Sequence, residues 1–288
     1  MPHEGETAIN QSITMDLPDS LPAQPRAIGS AMVRVRGMAG GVTRIADLRQ
    51  AGSLKLVFPR SFRPAAEAIL VNTAGGITGG DRFSIAADLG PGSHLAITTQ
   101  AAERAYRAQP GETGRIDTRL TVAEGARLDW LPQELILFDR AALRRSLDIT
   151  LAPTARLLLV EPVVFGRAAM SEVLQDIRFH DRIRVWRDGR PLYADGMILK
   201  GDASAHLQSA AVAAGAGAMA SLVYVAPDAA AQLGAVRALL PETAGASLLA
   251  PDTLVLRQLA PDSLALRRHL IPVLDRLTGN TLPTSWRL

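Results

Sequence analysis

Cysteine is absent from the 288-residue sequence. Its absence excludes a disulfide framework, cysteine-based zinc or iron–sulfur sites and thiol catalysis. Aromatic residues make up only 4% of the chain, which argues against the stacking platforms that bind sugars or bases. Hydrophobic residues make up 48%, so the chain can bury a sizeable core and is not disordered as a whole.

Long apolar runs are also missing. A long uncharged run covers residues 209–227 and consists mostly of alanine and glycine, so it is less apolar than the roughly 20 residues that a transmembrane helix needs. The first residues lack the basic segment followed by an apolar segment that marks a secretory signal. We therefore expect a soluble, cytoplasmic protein that does not bind membranes. Residues 1–28 are expected to form a disordered tail, with Met15 as an alternative start.

Lysine is almost absent, because Lys55 and Lys200 are the only lysines among 31 basic residues. The rest are arginines, whose planar guanidinium groups suit pairing with carboxylates on protein partners. A compositional bias towards arginine would produce the same excess, and both explanations stay open. The basic residues are scattered along the sequence, so nucleic-acid binding is not expected.

The dominant pattern from residue 29 onward is an alternation of apolar and polar residues. It is clear at Val33 and Val35, over Phe83–Leu89 and over Ile116–Val122, and again around Ile149 and Val185. Alternation with period two is typical of half-buried β-strands. Frequent turn signals separate these segments, and Asp188-Gly189 predicts a tight hairpin. The pattern predicts a single mainly β domain over 29–288, built as a sandwich, a barrel or a stacked-sheet solenoid.

Two segments have helical periodicity. Asp228 is placed to cap a helix over Ala229–Leu240, and Asp262 to cap a second helix near the carboxyl end, which Gly279 would close. Pro272 lies inside the second helix and is expected to kink it.

A glycine-rich segment, N-T-A-G-G-I-T-G-G-D over residues 72–81, stands out. It is not a P-loop, because Asp81 stands where a lysine is required. Nor is it a dinucleotide fingerprint, because a strand rather than a helix is predicted to follow it. Tight turns and close backbone approach explain the glycines instead.

No catalytic or metal-ligating cluster is apparent. The five histidines are dispersed, so a dedicated tight metal site is not expected. The acids Glu161, Glu172, Asp176 and Asp181 could share one face or a channel, although solvated loop carboxylates are the simpler interpretation.

Several segments together resemble the urease accessory protein UreD (UreH) family, in the order in which that family has them. The matching segments are N-T-A-G-G-I-T-G-G-D-R at 72–82, L-A-I-T-T-Q at 95–100 with Y-R at 106–107, L-D-W-L-P-Q-E-L-I-L-F at 128–138, V-F-G-R at 164–167 with S-E at 171–172, D-R-I at 181–183 with R-D-G at 187–189, and L-P-T-S-W-R at 282–287. Thr73-Ala74 and Ser171 depart from the usual residues. The motif positions expected to be structural are Gly75, Gly76, Gly79, Gly80, Pro132, Gly166 and Arg167.

The resemblance implies a mainly β, β-helix-like stack of sheets with two α-helices, the second near the carboxyl end. It implies a non-enzymatic chaperone that binds the accessory proteins UreF and UreG and the urease apoprotein. Such a complex helps to carbamylate the active-site lysine of urease and delivers nickel with GTP hydrolysis, which UreG performs. No tightly bound cofactor is implied, because Ni²⁺ would pass through an internal water-filled tunnel.

A conduit should hold a dication weakly, through carboxylates, carbonyls and water. The acids in the matched segments are therefore candidates for the nickel route: Asp81, Glu134, Asp139, Glu172 and Asp195. Alternatively, Asp81 and Glu134 satisfy buried turn amides. Arg267 and Arg268, predicted opposite the apolar stripe of the last helix, are candidates for docking UreF, although that stripe could simply seal the core.

Two other functions remain open. A β-solenoid carbohydrate-active enzyme would need aromatic platforms and paired carboxylates. A generic β scaffold would have no role in metal handling.

Overall fold

A computed structural model describes residues 25–60 and 64–287 of the chain. Of the tail predicted over 1–28, residues 1–24 lie outside the described residues. The first strand begins at Ile28. The strands are β1 (Ile28–Gly37), β2 (Thr43–Gly52), β3 (Leu54–Val57), β4 (Ala66–Asn72), β5 (Arg82–Leu89), β6 (His94–Thr99), β7 (Glu103–Ala105), β8 (Gly114–Val122), β9 (Arg127–Leu131), β10 (Leu135–Leu137), β11 (Ala142–Leu151), β12 (Arg156–Phe165), β13 (Ile177–Arg187), β14 (Arg190–Gly201), β15 (Ala218–Val225), β16 (Ala244–Ala250) and β17 (Thr253–Ala260). The α-helices are α1 (Ala203–Gln208), α2 (Ala229–Arg237) and α3 (Ser263–Thr278).

The strands form two sheets between which the chain winds back and forth. Sheet A has the order β14-β13-β11-β8-β5-β1-β2, and sheet B has the order β16-β17-β15-β12-β9-β6-β4-β3, with β7 and β10 attached to it. Along the chain, β4, β6, β9 and β12 of sheet B alternate with β5, β8, β11 and β13 of sheet A. The central strands of each sheet therefore run parallel, and hairpins add antiparallel strands at the sheet edges. This is the β-helix-like stack of sheets that the family resemblance implies, and one of the three architectures that the alternating pattern allows.

The alternating residues place one apolar row on the inner face of each strand. In sheet A the buried members include Val33, Ile85, Leu120 and Ile149, and they meet sheet B residues such as Leu157 in one core between the sheets. A second core lies on the other side of sheet B, beneath α2 and α3. Sheet B is therefore covered on both faces, whereas the outer face of sheet A carries polar and charged residues.

Three α-helices are present in the described ranges, not two, because the six-residue α1 escaped the sequence prediction. Asp262 caps α3 as predicted, since its carboxylate accepts a hydrogen bond from the Ala265 amide at 2.7 Å. Asp228 occupies the N-cap position of α2 as predicted, but its side chain makes no capping hydrogen bond. Its carboxylate accepts from the Tyr224 hydroxyl at 2.9 Å and from Gln232, and α2 ends at Arg237 rather than Leu240.

The β13–β14 hairpin turns at Asp188 and Gly189, with φ of 50° and 69°. Two successive positive φ angles are those of a type I′ turn, as the Asp-Gly pair predicts. Of the helices in the described ranges, none combines the length and apolar character needed to cross a bilayer.

Candidate functional site

The glycine-rich segment forms a turn between β4 and β5. Gly75 has a φ of 78°, and a Cβ on Gly76 would lie 2.2 Å from the ring of Tyr106. Asp81 fastens the turn, because its two carboxylate oxygens accept hydrogen bonds from the Ala27 amide at 2.7 Å and the Thr78 amide at 2.8 Å. Asp81 is 4% exposed, and these contacts give it the amide-binding role of the alternative interpretation.

Asp139 and Glu172 meet in a second cluster near the surface. One carboxylate oxygen of Glu172 accepts a hydrogen bond from the Asp139 amide at 3.1 Å. The Arg167 guanidinium donates to both carboxylate oxygens of Glu172, at 2.9 Å each. The hydrogen bond from Arg167 is the main reason why the pKa of Glu172 is lowered. The Arg167 guanidinium also lies 4.3 Å from the centroid of Phe138. These motif residues hold the loop after β12 against the β10–β11 turn.

Glu134 lies on the helix side of sheet B, in contact with α3. Its carboxylate accepts from the Ser263 hydroxyl at 2.9 Å and pairs with Arg267 at 3.2 Å, so its side chain binds side chains rather than turn amides. Arg267 also donates to Gln133 at 2.6 Å and lies over the ring of Trp286. The L-P-Q-E segment and the carboxyl-terminal segment are therefore bound to each other.

Arg267 does not lie opposite the apolar stripe as predicted. Its side chain is only 18% exposed and makes internal contacts, because it lies beside that stripe and reaches sheet B. Arg268 is exposed. Docking through α3 stays a prediction that depends on Arg268.

A buried charge cluster joins the two sheets. Arg145 on β11 of sheet A forms an ion pair with Glu161 on β12 of sheet B, 2.6 Å apart. It also contacts both carboxylate oxygens of Asp181 on β13, at 2.9 and 2.5 Å. The indole of Trp130 donates to Glu161 at 2.7 Å. Glu161 and Asp181 are 5% and 6% exposed, so the simpler expectation of solvated loop carboxylates is wrong for these two residues.

Two cavities border this cluster, and a third adjoins one of them. An outer cleft of about 140 Å³ is lined by residues that include Asn72, Thr99 and Glu103. Thr99 and Glu103 also line a central cavity of about 60 Å³ between the sheets, which Arg145 and Glu161 border.

The third, edge cavity measures about 20 Å³ and is lined by Asp181, Asp195 and Arg257, among others. Since Arg145 borders the central cavity and binds Asp181, this ion pair lies between the central and edge cavities. A cavity of this size holds about one water molecule, and the central cavity holds a few.

Asp195 is the one candidate acid from the sequence that lines these cavities. It accepts hydrogen bonds from the hydroxyls of Tyr193 at 3.1 Å and Ser221 at 3.3 Å, and it pairs with Arg257. Burial is the main cause that raises the pKa of Tyr193 to about 12, so the phenol stays protonated and donates.

Burial also raises the pKa of two other acids along the cavities, Glu161 and Glu103. It raises the pKa of Glu161 even though Arg145 opposes the shift, and it raises the pKa of Glu103 against a hydrogen bond from Asn72. The three cavities are lined by the four carboxylates of Glu103, Glu161, Asp181 and Asp195 and by the three guanidinium groups of Arg104, Arg145 and Arg257. Acidic groups therefore exceed basic ones. A cation entering the cavities would favour the ionised carboxylates.

The predicted acids thus do not form one site. Asp139 and Glu172 meet, Asp195 lines the edge cavity, and Asp81 and Glu134 lie elsewhere. Among residues 25–60 and 64–287 no group of three or more histidine or acidic side chains is arranged to hold a metal ion.

Arg145 and Glu103 were not among the predicted residues. Glu161 and Asp181 were named as acids that could share a face or a channel, but they were left out of the predicted nickel route. For two of these four residues a signal exists, because Arg145 and Asp181 occupy inward positions in otherwise apolar alternations, Leu143-x-Arg145-x-Leu147 and Phe179-x-Asp181-x-Ile183.

Comparison with known proteins places the chain in a family. A profile described as UreD urease accessory protein matches residues 27–287. The chain is 54% identical over 265 residues to the urease accessory protein UreD of Roseobacter denitrificans, covering 92% of this chain and 96% of that protein. It is 52% identical over 251 residues to the UreD of Ruegeria pomeroyi, covering 87% and 98%. The chain therefore belongs to the UreD urease accessory protein family, whose members are accessory proteins rather than carbohydrate-active or other enzymes.

Proposed function

We propose that this chain is a urease maturation factor that assembles with UreF, UreG and the urease apoprotein and conducts Ni²⁺ towards the urease active site. The observation that carries the proposal is the set of three cavities lined by Glu103, Glu161, Asp181 and Asp195. Nickel is cargo in this role, and no tightly bound cofactor is involved.

The chemistry of the cavity walls suits transit rather than storage. Carboxylates and water bind a borderline dication with moderate strength, whereas thiolate or clustered imidazole ligands would retain it. The chain has no cysteine. No cavity gathers enough carboxylates for a closed coordination shell, and Arg145 and Arg257 compete for those that are present.

The ion pair between Arg145 and Asp181 is the narrow point of the proposed route. Arg145 contacts Asp181 and Glu161 together, so a cation that displaces its guanidinium would gain two carboxylates at once. A shift of this one side chain would join the central and edge cavities.

The proposal is tested in a urease operon that lacks this gene and is complemented with variants. We expect Glu103→Gln and Glu161→Gln to lower both urease activity and the nickel content of purified urease. The matched control is Glu134→Gln, because Glu134 is as buried as Glu161 but its carboxylate lies on the helix side of sheet B. It should support wild-type activation once its fold is verified by circular dichroism.

Two outcomes contradict the proposal. If folded Glu103→Gln and Glu161→Gln proteins load urease as fully as the wild type, nickel does not pass these cavities. If the wild-type chain does not restore activity to the operon at all, the chain is a scaffold without a role in metal handling.

A further inference from the structure

The outer face of sheet A carries an aligned row of basic side chains. The strand registers place one residue from each of six adjacent strands in this row, in the order Ile28, Arg82, Arg115, Arg144, His180 and Ile198. With neighbouring strands about 4.8 Å apart, the row is about 24 Å long. The basic residues that are scattered in the sequence are thus aligned in the fold.

A second basic row crosses the same strands four residues further along the chain than the first row. It contains Arg119 on β8, Asp148 on β11 and Arg184 on β13, and Arg182 projects from β13 between the two rows. α2 and α3 pack against sheet B, and Arg82, Arg115, Arg119 and Arg144 are all exposed.

The acids on this face do not neutralise it. Asp117 pairs with Arg115, and Asp148 pairs with Arg184, at 2.5 Å each. Within the part of the chain that the structure describes, Arg82, Arg119 and Arg144 form no ion pair. These three guanidinium groups are available to an outside partner.

Sheet stability does not account for the row. Like charges directly opposite each other on neighbouring strands are destabilising, and here Arg82, Arg115 and Arg144 follow one another on three adjacent strands. A bias towards arginine explains how many arginines the chain has, but not why they align in register. A row that the fold does not need points to a ligand that carries the opposite charge.

We propose that the outer face of sheet A docks a protein surface rich in aspartate and glutamate. Guanidinium groups bind carboxylates in a bidentate manner, and an array of them sets the orientation of a partner. At the two ends of the row Ile28 and Ile198 are 67% and 70% exposed, so they offer apolar contacts beside the charged centre.

A protein fits this face better than a nucleic acid does. The carboxylates of Asp117 and Asp148 would lie against phosphates. Trp186, two residues beyond the second row on β13, is half-buried and unsuited to base stacking. The inference rests on the proposed function, because the candidate partners are the proteins of the maturation complex.

The test uses the tagged full-length chain co-expressed with the urease structural and accessory proteins. The triple variant R82E/R119E/R144E removes the unpaired guanidinium groups. The control R60E/R156E/R190E changes the net charge equally at exposed arginines off this face and off α3. We expect roughly ten-fold lower recovery of at least one partner with the first variant and wild-type recovery with the control. Recovery with the wild type should fall as NaCl is raised.

A third variant, R82K/R119K/R144K, keeps the charge but loses the bidentate geometry, so its recovery of partners should lie between that of the wild type and that of R82E/R119E/R144E. Wild-type recovery of every partner by folded R82E/R119E/R144E overturns the proposal. The proposal is also overturned if the wild type binds a short DNA duplex and R82E/R119E/R144E loses that binding but retains its protein partners. These pull-downs do not read urease activity, so failure of the wild type to restore activity would refute the proposed function separately.

Discussion

Arg145 and Glu161 form an ion pair between the two sheets, with 2.6 Å separating their charged atoms. Both residues lie in the interior, and Asp181 completes the cluster on the same guanidinium. Two carboxylates thus depend on one cation, and the remaining negative charge faces the central and edge cavities. The pair both connects the sheets and borders the proposed route.

Removal of Arg145 should destabilise the fold strongly. Arg145→Met leaves Glu161 and Asp181 buried without their cation, and loss of one partner from a buried pair typically costs about 3–5 kcal/mol. Urea unfolding at pH 7 measures the change. The neighbouring Arg144→Ala provides the control, because Arg144 points to the outer face and should change the unfolding free energy by less than about 0.5 kcal/mol. Equal stability of the two variants would contradict the inter-sheet role of Arg145.

Stability should fall in acid because of Asp129. Burial alone would raise its pKa, but the hydrogen bond from His94 and the charge of Arg127 outweigh burial and lower the pKa from its usual 3.8. The folded state therefore favours the carboxylate, and this contribution is present above pH 3.8 and lost as the pH falls below that value.

The measurement is the free energy of unfolding of wild type and Asp129→Asn across acid pH. The difference between them should be constant near neutral pH and should shrink below pH 3.8. Asp88→Asn, at a more exposed position, is the control. If the difference in unfolding free energy between wild type and Asp129→Asn grows as the pH falls, the folded state does not favour the Asp129 carboxylate and the prediction is wrong.

Gly76 should not tolerate a side chain. In Gly76→Ala the new Cβ would lie 2.2 Å from the Tyr106 ring and 2.8 Å from the Arg104 carbonyl oxygen, so we expect a loss of about 1–3 kcal/mol. Thermal unfolding measures it. Gly234→Ala in α2 is the matched control, because its Cβ meets nothing within 4 Å and alanine favours a helix. That variant should be as stable as the wild type or slightly more stable.

Docking of UreF through α3 depends on the exposed side of that helix. Leu266, Leu270 and Leu274 are buried against sheet B, so the apolar stripe seals the core. Deletion of the helix would therefore destroy the fold rather than test docking. The variant L264S/R268E changes only exposed residues and should reduce co-purification of UreF about ten-fold. Undiminished co-purification would refute docking at this helix.

Alternation was enough to predict the strands and a mainly β domain, because each strand buries one face and exposes the other. The choice of stacked sheets over a sandwich or a barrel came from the family resemblance. It could not predict α1, which spans only six residues and has no room for helical periodicity. The candidate route was harder, because Glu103 and Asp181 come together only through pairings between strands that are distant in sequence. Conversely, Asp139 and Glu172 were named from their motifs, but their contacts hold the loop after β12 against the β10–β11 turn.

The register of sheet A shows the same limit. Arg82, Arg115 and Arg144 are about 30 residues apart in sequence, and only the winding of the chain aligns them. A count of arginines along the sequence therefore cannot reveal a charged row.

The winding of one chain through both sheets also determines how the protein must fold. Every parallel neighbour of a central strand arrives only after the chain has crossed to the opposite sheet and returned, so the parallel strand pairs have high contact order, whereas hairpins such as β13–β14 form from local contacts. Such topologies fold slowly and leave unpaired strand edges exposed in the meantime. Newly made chains should therefore aggregate readily, and synthesis alongside the proteins that cover their surfaces should raise the yield of native protein.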